Sequence, residues 1–220
     1  MRKRDIPELI QRLDQMFPNA QCELVHHSPF TLLVATMLSA QTTDEMVNRV
    51  TKDLFQSYDQ PEQYAAMSQE ELEKHIRRIG LFRSKAKHII AMSKILLEEY
   101  HGEVPQTREE LVKLPGVGRK TANVVISNAF HVPAIAVDTH VDRVSKRLGL
   151  SKWKDSVLEV EKNLMKLIPQ EEWTQTHHRL IFLGRYQCKA QNPQCADCQL
   201  LDLCREGLKR MKNADLVENT

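Results

Sequence analysis

The sequence has few of the features that mark fibrous, disordered, membrane or secreted proteins. It contains only 7 glycines in 220 residues, with 41% hydrophobic and 27% charged residues, a composition that is typical of a globular protein. No run approaches the roughly 18 consecutive apolar residues of a membrane span, and the charged residues 1–5 are unlike a signal peptide. We therefore expect a cytoplasmic protein of one or two domains.

An excess of positive charge is also missing, because the formal net charge is only +2 at pH 7. Overall charge therefore does not indicate a nucleic-acid partner. The placement is uneven, however, since seven basic residues and no acidic residue lie between Lys74 and Leu97: Lys74, Arg77, Arg78, Arg83, Lys85, Lys87 and Lys94. A solvated helix face explains this run as well as a nucleic-acid contact does.

Strand signals are scarce, whereas helix signals are frequent. Apolar residues follow helical spacing from Ala86 to Leu97 and from Val157 to Ile168. Residues 30–38 are apolar on all sides and predict a central core helix, while the proline in residues 132–137 favours an extended connector over a strand. Four capping boxes predict helix starts: Thr42 with Glu45, Ser68 with Glu71, Thr107 with Glu110, and Ser156 with Glu159. The sequence predicts an all-α fold.

Four of the five cysteines lie close together near the end of the chain, with the spacing Cys188-x6-Cys195-x2-Cys198-x5-Cys204. In a cytosolic protein such crowding favours a metal site over disulfides. Zinc modules usually supply their ligands as two close pairs, whereas here one pair is flanked by two single cysteines. The spacing therefore favours an iron–sulfur cluster and leaves zinc open. The fifth cysteine, Cys22, is predicted to be a small buried hydrophobic residue.

A glycine-rich turn, Leu-Pro-Gly-Val-Gly-Arg-Lys-Thr-Ala at residues 114–122, joins a predicted helix starting at Thr107 to another predicted over residues 121–130. Glycines let backbone amides approach a ligand closely, and a helix N-terminus offers unpaired N–H groups to a phosphate. A tight turn between packed helices would use the glycines equally well. It would not explain why Arg119 and Lys120 stand beside them.

A single aspartate, Asp138, follows the apolar connector in the segment Val-Asp-Thr-His-Val-Asp-Arg-Val at residues 137–144. An aspartate in this position is most often a helix cap. Because a capping carboxylate is held in one orientation, the same residue is also able to act on a substrate.

The hairpin, the aspartate segment and the cysteine spacing together resemble the endonuclease III family of DNA glycosylases, from Phe30 through Cys204. The resemblance implies an all-α helix-hairpin-helix DNA glycosylase fold, with two helical domains and a DNA-binding groove between them. Residues 22–132 would form a six-helix bundle, and residues 1–21 with 133–220 a domain that holds a [4Fe–4S] cluster. Residues after Cys204 match nothing in the family pattern, so we expect a frayed tail.

The resemblance also implies a bifunctional DNA glycosylase/AP lyase of base excision repair. Its partner would be double-stranded DNA with oxidised pyrimidines or abasic sites, and it would be a monomer, nucleoid-associated if bacterial. Lys120 would be the nucleophile and Asp138 a proton acceptor or a stabiliser of positive charge on the sugar, while the four clustered cysteines would hold the cluster.

The resemblance extends to the contacts with DNA. Gln41 and Leu81 would fill the space left by an extruded nucleotide. The other expected contacts are Gly116, Val117, Gly118, Arg119, His140, Arg143, Arg185 and Lys189.

The nucleophile role sets a requirement, because an amine attacks only when it is neutral. With an unperturbed pKa near ~10.4, about one lysine in a thousand is neutral near pH 7, which corresponds to roughly 4 kcal/mol of barrier. We expect partial desolvation, Arg119 and the positive helix end to favour the neutral amine. Asp138 and the DNA phosphates oppose it.

Three other interpretations stay open. The chain is a non-catalytic helix-hairpin-helix DNA-binding module if Lys120 only contacts phosphate. An adenine-mismatch glycosylase would share the motifs, although such relatives lack this lysine and usually carry a further C-terminal domain. A zinc-stabilised helical interaction protein would have no nucleic-acid role.

Overall fold

A computed structural model describes residues 1–218, with side chains described through residue 213. Twelve α-helices and no strand occur within this part of the chain, so the all-α prediction is confirmed. The helices are α1 Ile6–Met16, α2 Pro29–Leu38, α3 Asp44–Ser57, α4 Pro61–Ala66, α5 Gln69–Ile76, α6 Phe82–Tyr100, α7 Arg108–Leu111, α8 Arg119–Ala129, α9 Thr139–Leu148, α10 Val157–Leu167, α11 Trp173–Phe182 and α12 Arg205–Glu218. A π-helical turn, Leu183–Gln187, follows α11.

Three of the four predicted helix caps are confirmed. The side chains of Ser68, Thr107 and Ser156 each accept a hydrogen bond from the backbone N–H three residues later, which satisfies one unpaired amide of the first turn. The fourth prediction is wrong by one residue, because Thr43 rather than Thr42 caps α3 and accepts from the Met46 N–H. Thr42 is drawn instead towards the side chain of Lys85.

The chain divides into two compact units, residues 22–132 and residues 1–21 with 133–220. The first unit contains α2 to α8, of which α7 is a single turn. Helix α2 is buried from Phe30 to Leu38, as its apolar sequence predicts, and it packs against α3, α6 and α8. Each fully buried leucine of such a helix stabilises the fold by about 1.5–3 kcal/mol relative to exposure.

The second unit joins the two ends of the chain. Leu9 and Leu13 of α1 share one core with Val141 and Val144 of α9, and with apolar residues of α10 and α11. Residues 132–137 belong to neither a helix nor a strand, as predicted for a connector. Three of the four clustered cysteines pack against this core. The N-terminal helix therefore contributes directly to the unit that carries the cysteines.

Two expectations from the sequence are wrong. The residues after Cys204 form helix α12, which packs against α9, instead of a frayed tail; Asn219 and Thr220 lie outside the described residues. Cys22 is only half-buried, so it is not a core residue. Within the described residues no helix is both long and apolar enough to cross a membrane.

His178 gives the second unit a pH-dependent stability. Its ring is buried in α11, and burial lowers the pKa of His178 to about 4. The unfolded chain, with the ordinary value of about 6.5, therefore binds the proton more readily, and stability is lost as pH falls from about 6.5 to 4. The loss from this group approaches about 3 kcal/mol.

We predict that the free energy of unfolding falls less between pH 7 and pH 4.5 in His178→Gln than in the parent, because glutamine does not titrate. Urea unfolding at both pH values measures this difference. Equal falls in the two proteins would show that His178 is not the group responsible.

Candidate functional site

The glycine-rich turn is shaped by two glycines with different tasks. Gly116 has a φ of +76°, and a Cβ atom there would lie 2.8 Å from His88 Cβ and 3.0 Å from Met37 Cε, so only glycine fits. Gly118 faces open space, with no atom within 4 Å of a Cβ position. Val117 anchors the turn with a side chain that is only 6% exposed. Its predicted DNA contact is therefore limited to its backbone.

Lys120 lies at the start of the helix that follows this turn. Helix α8 begins at Arg119, two residues earlier than the predicted Thr121, with Gly118 as its cap. The first intrahelical bond of α8 runs from the Ala122 N–H to the Gly118 carbonyl at 2.9 Å. The amides of residues 120 and 121 precede this bond and lie in the first turn, where an α-helix offers N–H groups to an anion.

The side chain of Lys120 is exposed. The partial desolvation expected around this side chain is therefore not found in the free protein.

Asp138 caps helix α9, as its position after the connector predicts. Its Oδ1 accepts hydrogen bonds from the His140 and Val141 N–H groups at 2.9 and 2.8 Å. Among the described residues of its own unit, Oδ2 accepts no hydrogen bond. The carboxylate is thus held in one orientation with one oxygen free for another partner.

Gly184, in the π-helical turn, packs closely against the segment that follows Asp138. A Cβ atom on Gly184 would lie 2.8 Å from His140 Cβ and 3.1 Å from His140 Nδ1. Arg143 Nη2 lies 3.2 Å from the same Nδ1, and because a guanidinium only donates, Nδ1 accepts and the ring proton belongs on Nε2. This contact orients the His140 ring.

Arg143 is engaged by the protein. Its Nη2 donates to the Gly184 carbonyl at 2.8 Å, and its Nε and Nη2 to the Cys188 carbonyl at 3.3 and 3.2 Å. It links the Asp138 segment to the start of the cysteine loop, and its contact with DNA stays a prediction. Arg185 is half-buried with partners of its own, whereas Lys189 is exposed on the loop between Cys188 and Cys195.

Gln41 and Leu81 lie in two exposed turns of the first unit. Both are non-glycine residues in the left-handed region, with φ of 57° and 58°, a conformation that costs about 1–3 kcal/mol when nothing compensates. Leu81 is 60% exposed, which is unusual for a large apolar side chain. The two turns are neighbours, since a Cβ atom on Gly80 would lie 3.4 Å from the Gln41 carbonyl oxygen.

The four clustered cysteines line one cavity, and none forms a disulfide. Burial, with a further contribution from neighbouring Cys188, raises the pKa of the Cys195, Cys198 and Cys204 thiols. The Gly207 N–H donates to Cys204 Sγ at 3.3 Å, a contact that would also stabilise a thiolate. Four thiols that line one cavity, with an amide donor to one of them, match the ligand type of an iron–sulfur cluster. Within the described residues, no three His, Cys, Asp or Glu side chains are already grouped as ligands of one metal ion.

Sequence reasoning missed Arg147, which is buried at the edge of this cavity. Its Nη1 donates to Cys188 Sγ at 3.3 Å and to the Lys189 carbonyl at 2.7 Å, and its Nη2 to the Ala190 carbonyl at 3.0 Å. In the sequence it is an ordinary basic residue in the last turn of α9, where cations favour the helix dipole. No local signal marks it as buried.

Lys85 is buried, although a solvated face or a nucleic-acid contact was expected for the basic run between Lys74 and Leu97. The sequence does contain a pattern that indicates this burial. Lys85 shares the buried face of α6 with Ile89, Met92 and Leu96, at helical spacings of four, seven and eleven residues. The run is therefore not a single solvated face.

Comparisons with known proteins agree over nearly the whole chain. The family described as HhH-GPD superfamily base excision DNA repair proteins matches residues 34–170. Endonuclease III of Bacillus subtilis (strain 168) is 65% identical over 209 residues, which cover 95% of this chain and 95% of the relative. Endonuclease III of Escherichia coli (strain K12) is 45% identical over 204 residues, covering 93% of this chain and 96% of the relative.

Solved structures extend the comparison to three dimensions. A trapped endonuclease III–DNA covalent intermediate, an estranged-adenine complex, superposes with a TM-score of 0.93 at 62% identity, covering 96% of this chain and 99% of that chain. A thermostable thymine-DNA glycosylase has the same fold, with a TM-score of 0.84 at 22% identity over 94% of this chain and 97% of that chain. Interpretations without catalysis or without a nucleic-acid role are therefore wrong. The chain belongs to the endonuclease III family of the HhH-GPD superfamily and is a base excision repair DNA glycosylase and AP lyase.

Proposed function

We propose that Lys120 is the nucleophile of this glycosylase/AP lyase and that oxidised pyrimidines and abasic sites in double-stranded DNA are its substrates. The observation that carries the proposal is the position of Lys120, exposed in the first turn of α8 immediately after the Gly116–Gly118 hairpin. The amides of residues 120 and 121, which precede the first intrahelical bond, suit a DNA phosphate. A relative with 62% identity, solved as a trapped covalent intermediate with DNA, supports covalent chemistry.

In the proposed reaction, Lys120 Nζ attacks C1′ of an extruded deoxynucleotide. The bond from C1′ to the base breaks, and the base leaves with the electron pair and takes up a proton. Opening of the sugar ring gives a Schiff base between Nζ and C1′. Loss of a proton from C2′ then expels the 3′ phosphate by β-elimination, and water releases the enzyme from the Schiff base.

Because Lys120 is exposed in the free protein, we propose that the bound DNA excludes water from its side chain. An extruded nucleotide brings an uncharged sugar and base against the side chain, which lowers local hydration. The phosphates held by the hairpin work in the opposite direction. Uncharged backbone amides can hold these phosphates without adding any charge of their own beside Nζ.

Asp138 is proposed to assist at the sugar. Two amide donors on Oδ1 fix the carboxylate, and Oδ2 can face the substrate. From this position it acts either as the acceptor of a proton or as the stabiliser of positive charge that develops on the sugar. His140, oriented by Arg143 and Gly184, supports the same segment and offers its Nε2 proton to DNA.

The remaining DNA contacts are proposed at residues that are exposed or, for Arg185, half-buried. Gly116, Gly118 and Arg119 supply the hairpin amides and one cation, while Lys189 and Arg185 are proposed to contact phosphates outside the lesion. Gln41 and Leu81 are proposed to enter the duplex where the nucleotide leaves, a polar group that addresses the orphaned base and an apolar wedge.

Cys188, Cys195, Cys198 and Cys204 are proposed to hold a [4Fe–4S] cluster. When bound, the group supplies a covalent crosslink between the Cys188–Cys195 loop and the start of α12. Arg147 stabilises this arrangement, because it donates to the Cys188 sulfur and to carbonyls of the loop. The protein's own contribution is thus a rigid loop that presents Lys189.

The nucleophile assignment is tested by borohydride trapping on duplex DNA with an abasic site. The parent protein should form a covalent adduct, and Lys120→Ala should form none, because the imine requires this amine. Lys113→Ala, which removes an exposed lysine just before the same turn, is the matched control and should trap normally. A normal adduct from Lys120→Ala, seen as a shifted band in a denaturing gel, would assign the nucleophile to another amine.

The cluster assignment is tested by metal analysis of Cys198→Ser. The parent should contain about four irons and four sulfides per chain with visible absorption, whereas Cys198→Ser should lose most iron and become less soluble. Cys22→Ser, which lies outside the cavity, should keep the full content. Zinc in the parent, or unchanged iron in Cys198→Ser, would show that the ligands are misassigned.

The wedge assignment is tested by Leu81→Asn. Asparagine tolerates the left-handed conformation better than leucine, so the thermal midpoint should stay equal or rise. Cleavage of a damaged base in duplex DNA should fall by about tenfold or more, since the apolar wedge is lost and unstacking costs a few kcal/mol. Val25→Asn replaces another exposed apolar side chain of the same unit and should leave activity unchanged. Full activity in Leu81→Asn would remove Leu81 from the proposed wedge.

A further inference from the structure

Lys85 contacts both turns that carry Gln41 and Leu81. Its side chain is only 7% exposed, and Nζ donates to the Leu38 carbonyl at 2.8 Å and to the Ala40 carbonyl at 2.6 Å, with Thr42 Oγ1 at 3.4 Å. Its backbone N–H donates to the Leu81 carbonyl at 3.0 Å. A single residue therefore connects the Gln41 turn to the Leu81 turn.

The two carbonyls that Lys85 binds belong to the last residue of α2 and to the turn that follows it. Helix α2 ends at Leu38, so the last carbonyl oxygens of that helix and of the following turn have no intrahelical N–H partner. A cation at a helix C-terminus is favoured by the helix dipole. The ammonium of Lys85 satisfies this end from another helix, α6, and so fixes the direction in which the chain enters the Gln41 turn.

Packing alone does not account for a lysine at this position. Lys85 shares a face of α6 with Ile89 and Met92, where an apolar side chain would be buried at no electrostatic cost. Burial opposes the ammonium and lowers the pKa of Lys85 to about 8, while the carbonyl oxygens around Nζ stabilise the charged form. The buried cation is kept at a cost to stability, at a point where it contacts both strained turns.

We propose that Lys85 is a positioning residue that holds the Gln41 and Leu81 turns together, so that both side chains enter the DNA duplex as one unit. Without the ammonium, the Gln41 turn is released from α6 while Leu81 remains at the start of that helix. The two side chains then no longer reach neighbouring positions in the base stack at the same time. The inference rests on the proposed insertion of Gln41 and Leu81.

The test compares one abasic site in two contexts, a duplex and the corresponding single strand. A single strand has no stacked partner to replace, so it requires Lys120 but not the two turns. Lys85→Met, which keeps the length without the charge, should reduce kcat/KM on the duplex by about ten- to a hundredfold and leave the single strand within about twofold of the parent. Equal losses on both substrates would overturn the inference, because they indicate a general structural defect.

Two further variants refine the comparison. Lys85→Gln keeps an N–H donor without the charge and should have intermediate duplex activity. Lys94→Met removes an exposed charge from the same helix and should behave as the parent on both substrates. If Lys85→Met does not fold by circular dichroism, Lys85→Gln and Thr42→Val, which removes the third oxygen, carry the same duplex-to-single-strand comparison.

A spectroscopic readout separates insertion from chemistry. A duplex with 2-aminopurine opposite a tetrahydrofuran abasic analogue cannot be cleaved, so its fluorescence on binding reports what happens to the orphaned base. The parent should change the fluorescence, and Lys85→Met should bind with a much smaller change at saturation. An unchanged amplitude in Lys85→Met would also overturn the inference.

The double variant Gln41→Ala/Leu81→Ala distinguishes the two levels of the proposal. If it is as active as the parent on the duplex, the insertion role itself is wrong, and the inference about Lys85 fails with it. If it loses duplex activity while Lys85→Met does not, the insertion role stands and only the role of Lys85 is wrong.

Discussion

The unpaired backbone groups at helix ends are the constraint on which this structure depends. Helix α9 satisfies its first amides with the carboxylate of Asp138, whereas α8 begins after Gly118, which has no side chain to cap the amides of residues 120 and 121. The two helix starts therefore have opposite electrostatic character. In the proposed reaction, the start of α9 supplies the carboxylate that assists at the sugar, and the start of α8 supplies the nucleophile.

Much of this arrangement could be predicted from local sequence. Ser68, Thr107 and Ser156 cap helices because their interactions span only three residues, and the same holds for Asp138. The error at Thr42 has a distant cause, since that hydroxyl lies near Lys85 Nζ from a helix more than forty residues away. Helix α12 escaped prediction for a similar reason, because its polar sequence gives little signal and its contact with α9 supplies the stabilisation.

The cysteine cavity shows the same division between local and distant information. Spacing is enough to predict the four proposed sulfur ligands, because they share one short stretch of chain. It cannot identify Arg147, which approaches Cys188 from 41 residues away. Arg143, which also binds the Cys188 carbonyl, belongs to the helix that Asp138 caps. One helix thus carries the proposed catalytic carboxylate at its start and two arginines that hold the cysteine loop further along.

Some of the positive φ angles at non-glycine residues are explained by helix ends, and others are not. Five non-glycine residues have positive φ: Gln41, Leu81, His101, His131 and Asn192. His101 and His131 follow helices whose last turn is closed by a bond back to the helix, from the Gly102 N–H to Leu96 and from the Val132 N–H to Ile126, and asparagine tolerates this region by itself. Leu81 has no such reason, because it caps the start of α6, where extended backbone is the rule. Gln41 follows α2 without the closing bond of a helix end. The left-handed backbone at Gln41 and Leu81 is therefore not needed to end or begin a helix, and both side chains are exposed. We assign this conformation to the proposed insertion into DNA, with Lys85 as the residue that holds both turns in place.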